Sequence, residues 1–202
     1  HYMFTIDESK LYSLINVYKE NFEQNFPNEK YKWEAVMHFQ DNWDINAEDF
    51  PTMLSNSLSK TGNLLASVSN FPRRMIKQFA DRFPEEVKEL FKTLYNEGFD
   101  LKERIDSFIS GIERIHKKWD GKEAKNHYHT FNVVSTYLWL RYPDKYYIYK
   151  PSVANQLFEE LGIDIKLTLL KAEAVIKTYE LYDEISSALI RDTEFKEKYA
   201  DS

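Results

Sequence analysis

The amino-acid sequence predicts a mostly α protein, a multi-helix globular domain with at most a short strand or hairpin near residues 145–150. Three observations carry that expectation. Apolar residues recur at spacings of three and four over most of the chain, the period of one face of a helix. Pro51, Pro72, Pro84 and Pro151 each stand where such a pattern begins, in the first turn, where the missing N–H costs nothing. Tyr146, Tyr147, Ile148 and Tyr149 are all strand-favouring, so a short strand or extended piece is expected there.

The elements follow in order. Leu11, Ile15, Tyr18 and Phe22 form one helix face, with Asp7 placed to cap it. A second segment carries Trp33, Val36, Met37 and Trp43, and a third, starting near Asp49, carries Phe50, Met53, Leu54 and Leu58. Residues 59–70 break the period with Gly62-Asn63 as a turn signal, and read as a connector anchored by Leu64 and Leu65. Helices then open at Pro72 (Met75, Ile76, Phe79) and at Pro84 (Val87, Leu90, Phe91, Leu94), the latter stopped by Gly98. Asp100 and Glu103 have capping-box spacing ahead of the most regular segment, Leu101, Ile105, Phe108, Ile112, Ile115 and Trp119. The polar run 117–129 reads as an exposed loop, which suggests a helical subdomain over 1–120 and a second over 121–202 packed on it, or one domain throughout. A helix from about Phe131 to Tyr142 ends at Pro143, an extended piece follows, and helices over 151–161 and from Leu167 to about Arg191 complete the chain.

Composition narrows the function classes. There is no cysteine, which excludes a disulfide scaffold, thiolate-held zinc and a cysteine nucleophile, and fits a cytoplasmic setting. No apolar run of about 18 residues is present, so no membrane partner is expected. The net charge of −6 is uneven: residues 101–150 hold 10 basic against 6 acidic side chains, a local excess of +4 within an acidic protein. Such a face suits an anionic partner even where the whole chain does not. Fourteen tyrosines, 14 phenylalanines and 4 tryptophans suit either bulky packing or a stacking surface.

No P-loop, Gly-x-Ser-x-Gly elbow or His-Glu-x-x-His motif occurs, so no catalytic residue is assigned and this chain is not expected to be an enzyme by itself. His127-Tyr128-His129 offers two imidazoles without further ligands, and no metal site is assigned. The acidic pairs Glu85-Glu86 and Glu159-Glu160 read as solvated helix positions. Arg73, Arg74 and Lys77 sit at a helix start, where a cation loses dipole stability and a phosphate, a carboxylate or an aromatic ring would restore it. The stretch from Val133 to Lys150 alternates aromatic and basic residues, and reads either as a core helix with outward tyrosine hydroxyls or as a stacking surface for bases.

Several of these segments resemble a known family. Tyr31-Lys-Trp-Glu-Ala-Val36, Gly62-Asn-Leu-Leu-Ala-Ser67, Phe71-Pro-Arg-Arg-Met-Ile76 and above all Leu138-Trp-Leu-Arg-Tyr-Pro-Asp-Lys-Tyr-Tyr-Ile-Tyr-Lys150 are similar to the N-terminal region of McrB-like AAA+ NTPases of modification-dependent (type IV) restriction systems. The resemblance implies a target-recognition module for DNA, methylated DNA included, in a phage-defence protein. It also implies a GTP- or ATP-hydrolysing motor with magnesium, joined in cis beyond residue 202, and a separate nuclease subunit. On that basis Arg73, Arg74, Lys77, Arg141, Lys145 and Lys150 are expected on phosphates, and Trp139, Tyr142 and Tyr146 near bases. A protein-interaction or oligomerisation module of the same kind of complex is the alternative.

Overall fold

The structure, a computed structural model, describes residues 7, 9–11, 30–65, 71–121, 124–163 and 171–199, the side chains of 63 and 192–199 excepted. After a helical turn at 9–11 come α1 (residues 30–42), α2 (Phe50–Ser57), α3 (Gly62–Leu65), α4 (Pro72–Arg82), α5 (Pro84–Leu94), α6 (Leu101–Lys118), α7 (Phe131–Arg141), α8 (Pro151–Glu160) and α9 (Ala172–Tyr199). No strand occurs among the described residues, and the architecture is the expected multi-helix one.

The chain falls into two compact units, one formed by Asn28–Tyr149 and the other by His1–Pro27 with Lys150–Ser202. The boundary expected at 120/121 lies inside the first unit, because the helices on either side of it share a core: the Phe108 ring of α6 lies 5.7 Å from the Tyr137 ring of α7.

Local signals account for most helix starts. Asp49 caps α2, accepting from the Thr52 N–H at 3.2 Å and the Thr52 hydroxyl at 2.7 Å, and that hydroxyl bond holds its carboxyl below the usual range. Asp7 accepts from the amides of Ser9 and Lys10 in the same manner. Pro72, Pro84 and Pro151 open α4, α5 and α8. The capping box expected at Asp100 does not form: its side chain makes no cap bond, and its carbonyl accepts the Arg104 N–H at 3.0 Å.

The first unit is organised around α7, whose residues 133–140 are all buried. A helix apolar on every side belongs inside. Phe39, Trp43, Phe50, Phe91, Tyr95 and Phe108 extend an aromatic core towards Tyr137, with Phe91 and Tyr137 centroids 5.2 Å apart and Phe39 and Trp43 stacked at 5.1 Å. Much of the aromatic content is therefore spent on packing. α5 and α6 approach closely at Gly111, where a β-carbon would run into the Leu90 side chain. On α1 the buried face is Ala35, Val36 and Phe39, while Trp33 and Met37 are 52% and 66% exposed. Gln40 of α1 donates to the carbonyls of Leu140 (2.6 Å) and Arg141 (2.8 Å), which the end of α7 leaves without intrahelical partners.

Residues 146–150 form neither helix nor strand. Side chains of α7 take a strand's place: the Tyr149 N–H donates to Ser135 Oγ at 2.8 Å, and Asn132 Nδ2 donates to the Tyr149 carbonyl at 2.8 Å. The connector after Ser59 contains α3, with Leu65 buried as its anchor, and residues 66–70 lie outside the described residues.

In the second unit Leu11, Phe158, Leu161, Leu181 and Ala188 form a core joined by Leu157, Ile163, Ile185 and Leu189. α8 ends as expected at Gly162, whose φ of 70° lets Ile163 N–H reach the Phe158 carbonyl and Gly162 N–H the Glu159 carbonyl. α9 runs to Tyr199, past the expected end near Arg191. Ile15, Tyr18, Phe22, Leu167 and Leu170 lie outside the described residues. Among the described residues no helix is long and apolar enough to cross a membrane.

Candidate nucleic-acid interface

The aromatic and basic residues of 139–150 do not share one surface. Trp139 is only 9% exposed, with its ring 6.1 Å from that of Trp33, so the base-facing role expected for it gives way to packing. The Tyr142 hydroxyl donates to the Tyr95 carbonyl at 2.8 Å. The Tyr146 hydroxyl accepts from Arg104 Nη1 at 3.0 Å, and the same guanidinium donates through Nε to the Leu94 carbonyl at 2.8 Å. Leu94 and Tyr95 end α5, where carbonyls lack intrahelical donors and the helix dipole is negative. Arg104, only 2% exposed, is thus held where a buried cation finds compensation without a carboxylate, although its Nη2 has no hydrogen-bond partner.

Arg141 and Lys145 are engaged too. Lys145 Nζ lies 2.6 Å from Glu97 Oε2, and that hydrogen bond raises the lysine's pKa. Lys145 and Arg141 also lie 5.7 Å and 4.5 Å from the centre of the Tyr142 ring. Together Arg104, Tyr142, Lys145 and Tyr146 form a clasp over the C-terminal end of α5 and the loop after it. Lys150 is exposed at the start of α8 and belongs to the other compact unit.

Arg73, Arg74 and Lys77 have a different setting. All three line an open groove of about 410 Å³ between α4 and α2, with Phe71 and Ile76 from the α4 side and Leu54, Ser55, Leu58 and Ser59 from the α2 side. Among the described residues the lining contains three cations and no carboxylate. Arg73 Nη1 donates to the Ser59 carbonyl at 3.4 Å, so its partner is a neutral acceptor at the groove wall. α4 has no acidic residue in its first turn and no side-chain cap. The Phe71 ring at the rim is 40% exposed, while Leu58 and Ile76 are buried.

The histidine pair is not the solvated loop expected from sequence. His129 is 3% exposed, its Nε2 lies 2.8 Å from the Tyr137 hydroxyl and its Nδ1 2.8 Å from the His127 carbonyl. Burial pushes its pKa down to about 3, and the neutral ring donates through Nδ1 and accepts through Nε2. His127 Nδ1 accepts the His129 amide at 2.9 Å, and Tyr128 between them takes a φ of 60°. Both His129 nitrogens are therefore used internally, and no cluster of three His, Asp or Glu poised for a metal occurs among the described residues. Glu86 pairs with Lys118, and Glu160 accepts from Gln156 at 3.0 Å.

No family model, curated protein or solved structure matches this chain. The chemistry of the site therefore rests on its own residues. Sequence reasoning found the three cations of the groove but missed its α2 wall, which carries no charge to draw notice. It also missed Arg104, for which a signal existed: with Leu101, Ile105 and Phe108 it completes the i, i+3, i+4, i+7 pattern of the inward face of α6.

Proposed function

We propose that this chain is a non-catalytic recognition module of an McrB-like defence NTPase and binds DNA, methylated DNA included, through the α2–α4 groove. Arg73, Arg74 and Lys77 contact backbone phosphates. The observation that carries the reading is the convergence of three cations on one groove, on a chain of net charge −6. A local positive field of this kind suits a polyanion, and phosphate contacts fix its position. Arg141 and Lys145 contribute less, because Tyr142 and Glu97 already engage them. In this reading NTP hydrolysis, with GTP or ATP and magnesium, belongs to a motor domain in cis, and cleavage belongs to a separate nuclease.

The test is a titration of labelled duplex and single-stranded DNA, methylated and unmethylated, at two ionic strengths. Phosphate binding predicts a steep loss of affinity with salt, and Arg73→Glu with Lys77→Glu abolishes most of it. No binding below about 100 μM at low salt overturns the reading, since non-specific DNA binding is ordinarily tighter than that.

A second reading, a protein-interaction module, is favoured by Trp33 and Met37, which are exposed one turn apart on α1. It predicts that Trp33→Ser with Met37→Ser leaves DNA affinity unchanged and alters the sedimentation of the assembled complex.

A further inference from the structure

We infer that His127 is an acid-released latch on the loop between α6 and α7, because the backbone turn at 127–129 closes on a ring nitrogen that a proton would occupy. The inference does not depend on the DNA reading. His127 Nδ1 accepts the His129 N–H at 2.9 Å, and His129 Nδ1 donates back to the His127 carbonyl at 2.8 Å. Between them Tyr128 takes a φ of 60°, a left-handed conformation that a side chain disfavours, with its N–H on Asn126 Oδ1 at 2.7 Å. The reciprocal pair of bonds holds this turn. An imidazolium carries a hydrogen on both nitrogens, so a protonated His127 cannot accept at Nδ1 and presents a donor to a donor. His129 is only 3% exposed, and its N–H is then left without a partner away from water. His127 is itself half-buried, so solvent reaches the latch before it reaches His129.

The second anchor of the loop behaves differently. His116 Nε2 lies 3.0 Å from the Ala124 carbonyl, which only accepts, so this ring donates there whether neutral or protonated. Acid therefore leaves Ala124 tied to α6 and frees 127–129. Among the described residues, the titratable and charged groups facing His127 are His116 and Glu113 of α6 and His129 of its own loop. α7 adds the Tyr137 hydroxyl, bonded to His129 Nε2, and α4 adds the uncharged Phe79 ring beside His116. Burial and the His116 ring 5.7 Å away hold the His127 pKa below its usual value, and Glu113 opposes them. The closed turn is thus complete above the ordinary histidine value of about 6.5. Below it the open population grows by at most about tenfold per pH unit.

The experiment is amide hydrogen exchange with histidine-ring NMR on the whole chain, from about pH 7.5 to about 4.5, a range that brackets the ordinary histidine value. It ends above the value of about 3 to which burial pushes His129. Protection of the His129 amide, corrected for the intrinsic pH dependence of exchange, should fall as pH drops below about 6.5, at up to about tenfold per unit. Amides in the middle of α6 and α7 should keep theirs. His127→Asn, whose side-chain oxygen can accept the same bond without titrating, should hold protection level across the range. His116→Gln should preserve the acid loss. Constant protection of the wild-type His129 amide through the titration of the His127 ring overturns the inference. An acid loss in His127→Asn that matches wild type also overturns it, and assigns the proton to Glu113 or His116. So does a fall in protection shared equally by α6 and α7, which is unfolding of the whole unit and not release of a latch.

Discussion

Residues 71–77 and 139–146 both combine aromatic and basic side chains, one ring with three cations in the first and three rings with two cations in the second, yet the fold treats them oppositely. The second segment meets the end of α5, and the carbonyls of Leu94 and Tyr95, the Glu97 carboxylate and the Tyr142 ring absorb its cations and hydroxyls. The first segment faces α2, whose sequence Phe-Pro-Thr-Met-Leu-Ser-Asn-Ser offers no charge in return. What sets Arg73 and Lys77 apart from Arg104 and Lys145 is the element across from them. That element is set by tertiary packing, not by local composition.

The sharpest way to break this comparison is at Arg104. Replacement by Met leaves the Leu94 carbonyl and the Tyr146 hydroxyl without their charged donor in a buried site. The expected cost is roughly 3 kcal/mol in urea denaturation, since hydrogen bonds to charged groups contribute about 1.5–3 kcal/mol each. DNA affinity of the folded fraction should not change. Weakened binding with intact stability would place the clasp on the binding surface and erase the distinction.

The converse substitution comes next in size. Arg73→Glu with Lys77→Glu should lower DNA affinity by at least about tenfold at low salt and reduce the salt slope by about 2, one unit for each phosphate no longer neutralised. Stability should move by less than about 0.5 kcal/mol, as for other surface positions. A large stability loss would show that these side chains hold α4 in place.

The helices were legible because each begins on a signal that acts locally. Asp49 caps α2 through Thr52, Pro72, Pro84 and Pro151 open three more helices, and Gly162 closes α8 with a positive φ. The site was half legible. Arg73, Arg74 and Lys77 are visible as charges, but the groove needs Leu54 and Ser59, brought alongside only by packing of α2 on α4. The strand-favouring Tyr146–Tyr149 run misleads for the same reason: strand propensity reports fit to a half-buried surface, and here α7 offers that surface through Ser135 and Asn132. Trp139 and Tyr142 suggested a reading surface only while their neighbours were unknown.

A pH titration extends the comparison to the buried side. His129 has a folded-state pKa of about 3 against an unfolded value near 6.5, so the unfolded chain takes up the proton first. Stability from this group is complete above about pH 6.5, and it is lost as pH falls from there towards 3. The slope is at most about 1.4 kcal/mol per pH unit. His129→Gln should flatten that part of the profile, and the difference between the two proteins separates it from carboxylate titration. Identical profiles would mean that the imidazole is hydrated in solution.

The smallest expected effect is at Lys145, and it tests the role of the facing neighbour most directly. Lys145 is exposed, carries the same charge as Lys77 and differs from it in having Glu97 at 2.6 Å. If the facing element decides availability, Lys145→Ala should lower DNA affinity by less than about twofold, because the carboxylate already neutralises the field a phosphate would meet. Glu97→Gln should then raise affinity slightly by releasing the ammonium, and in that background Lys145→Ala should weaken binding measurably. Such non-additivity belongs to two groups in direct contact. An equal loss on removing Lys145 in both backgrounds would show that Glu97 does not shield it, and that the two regions differ in position more than in electrostatics.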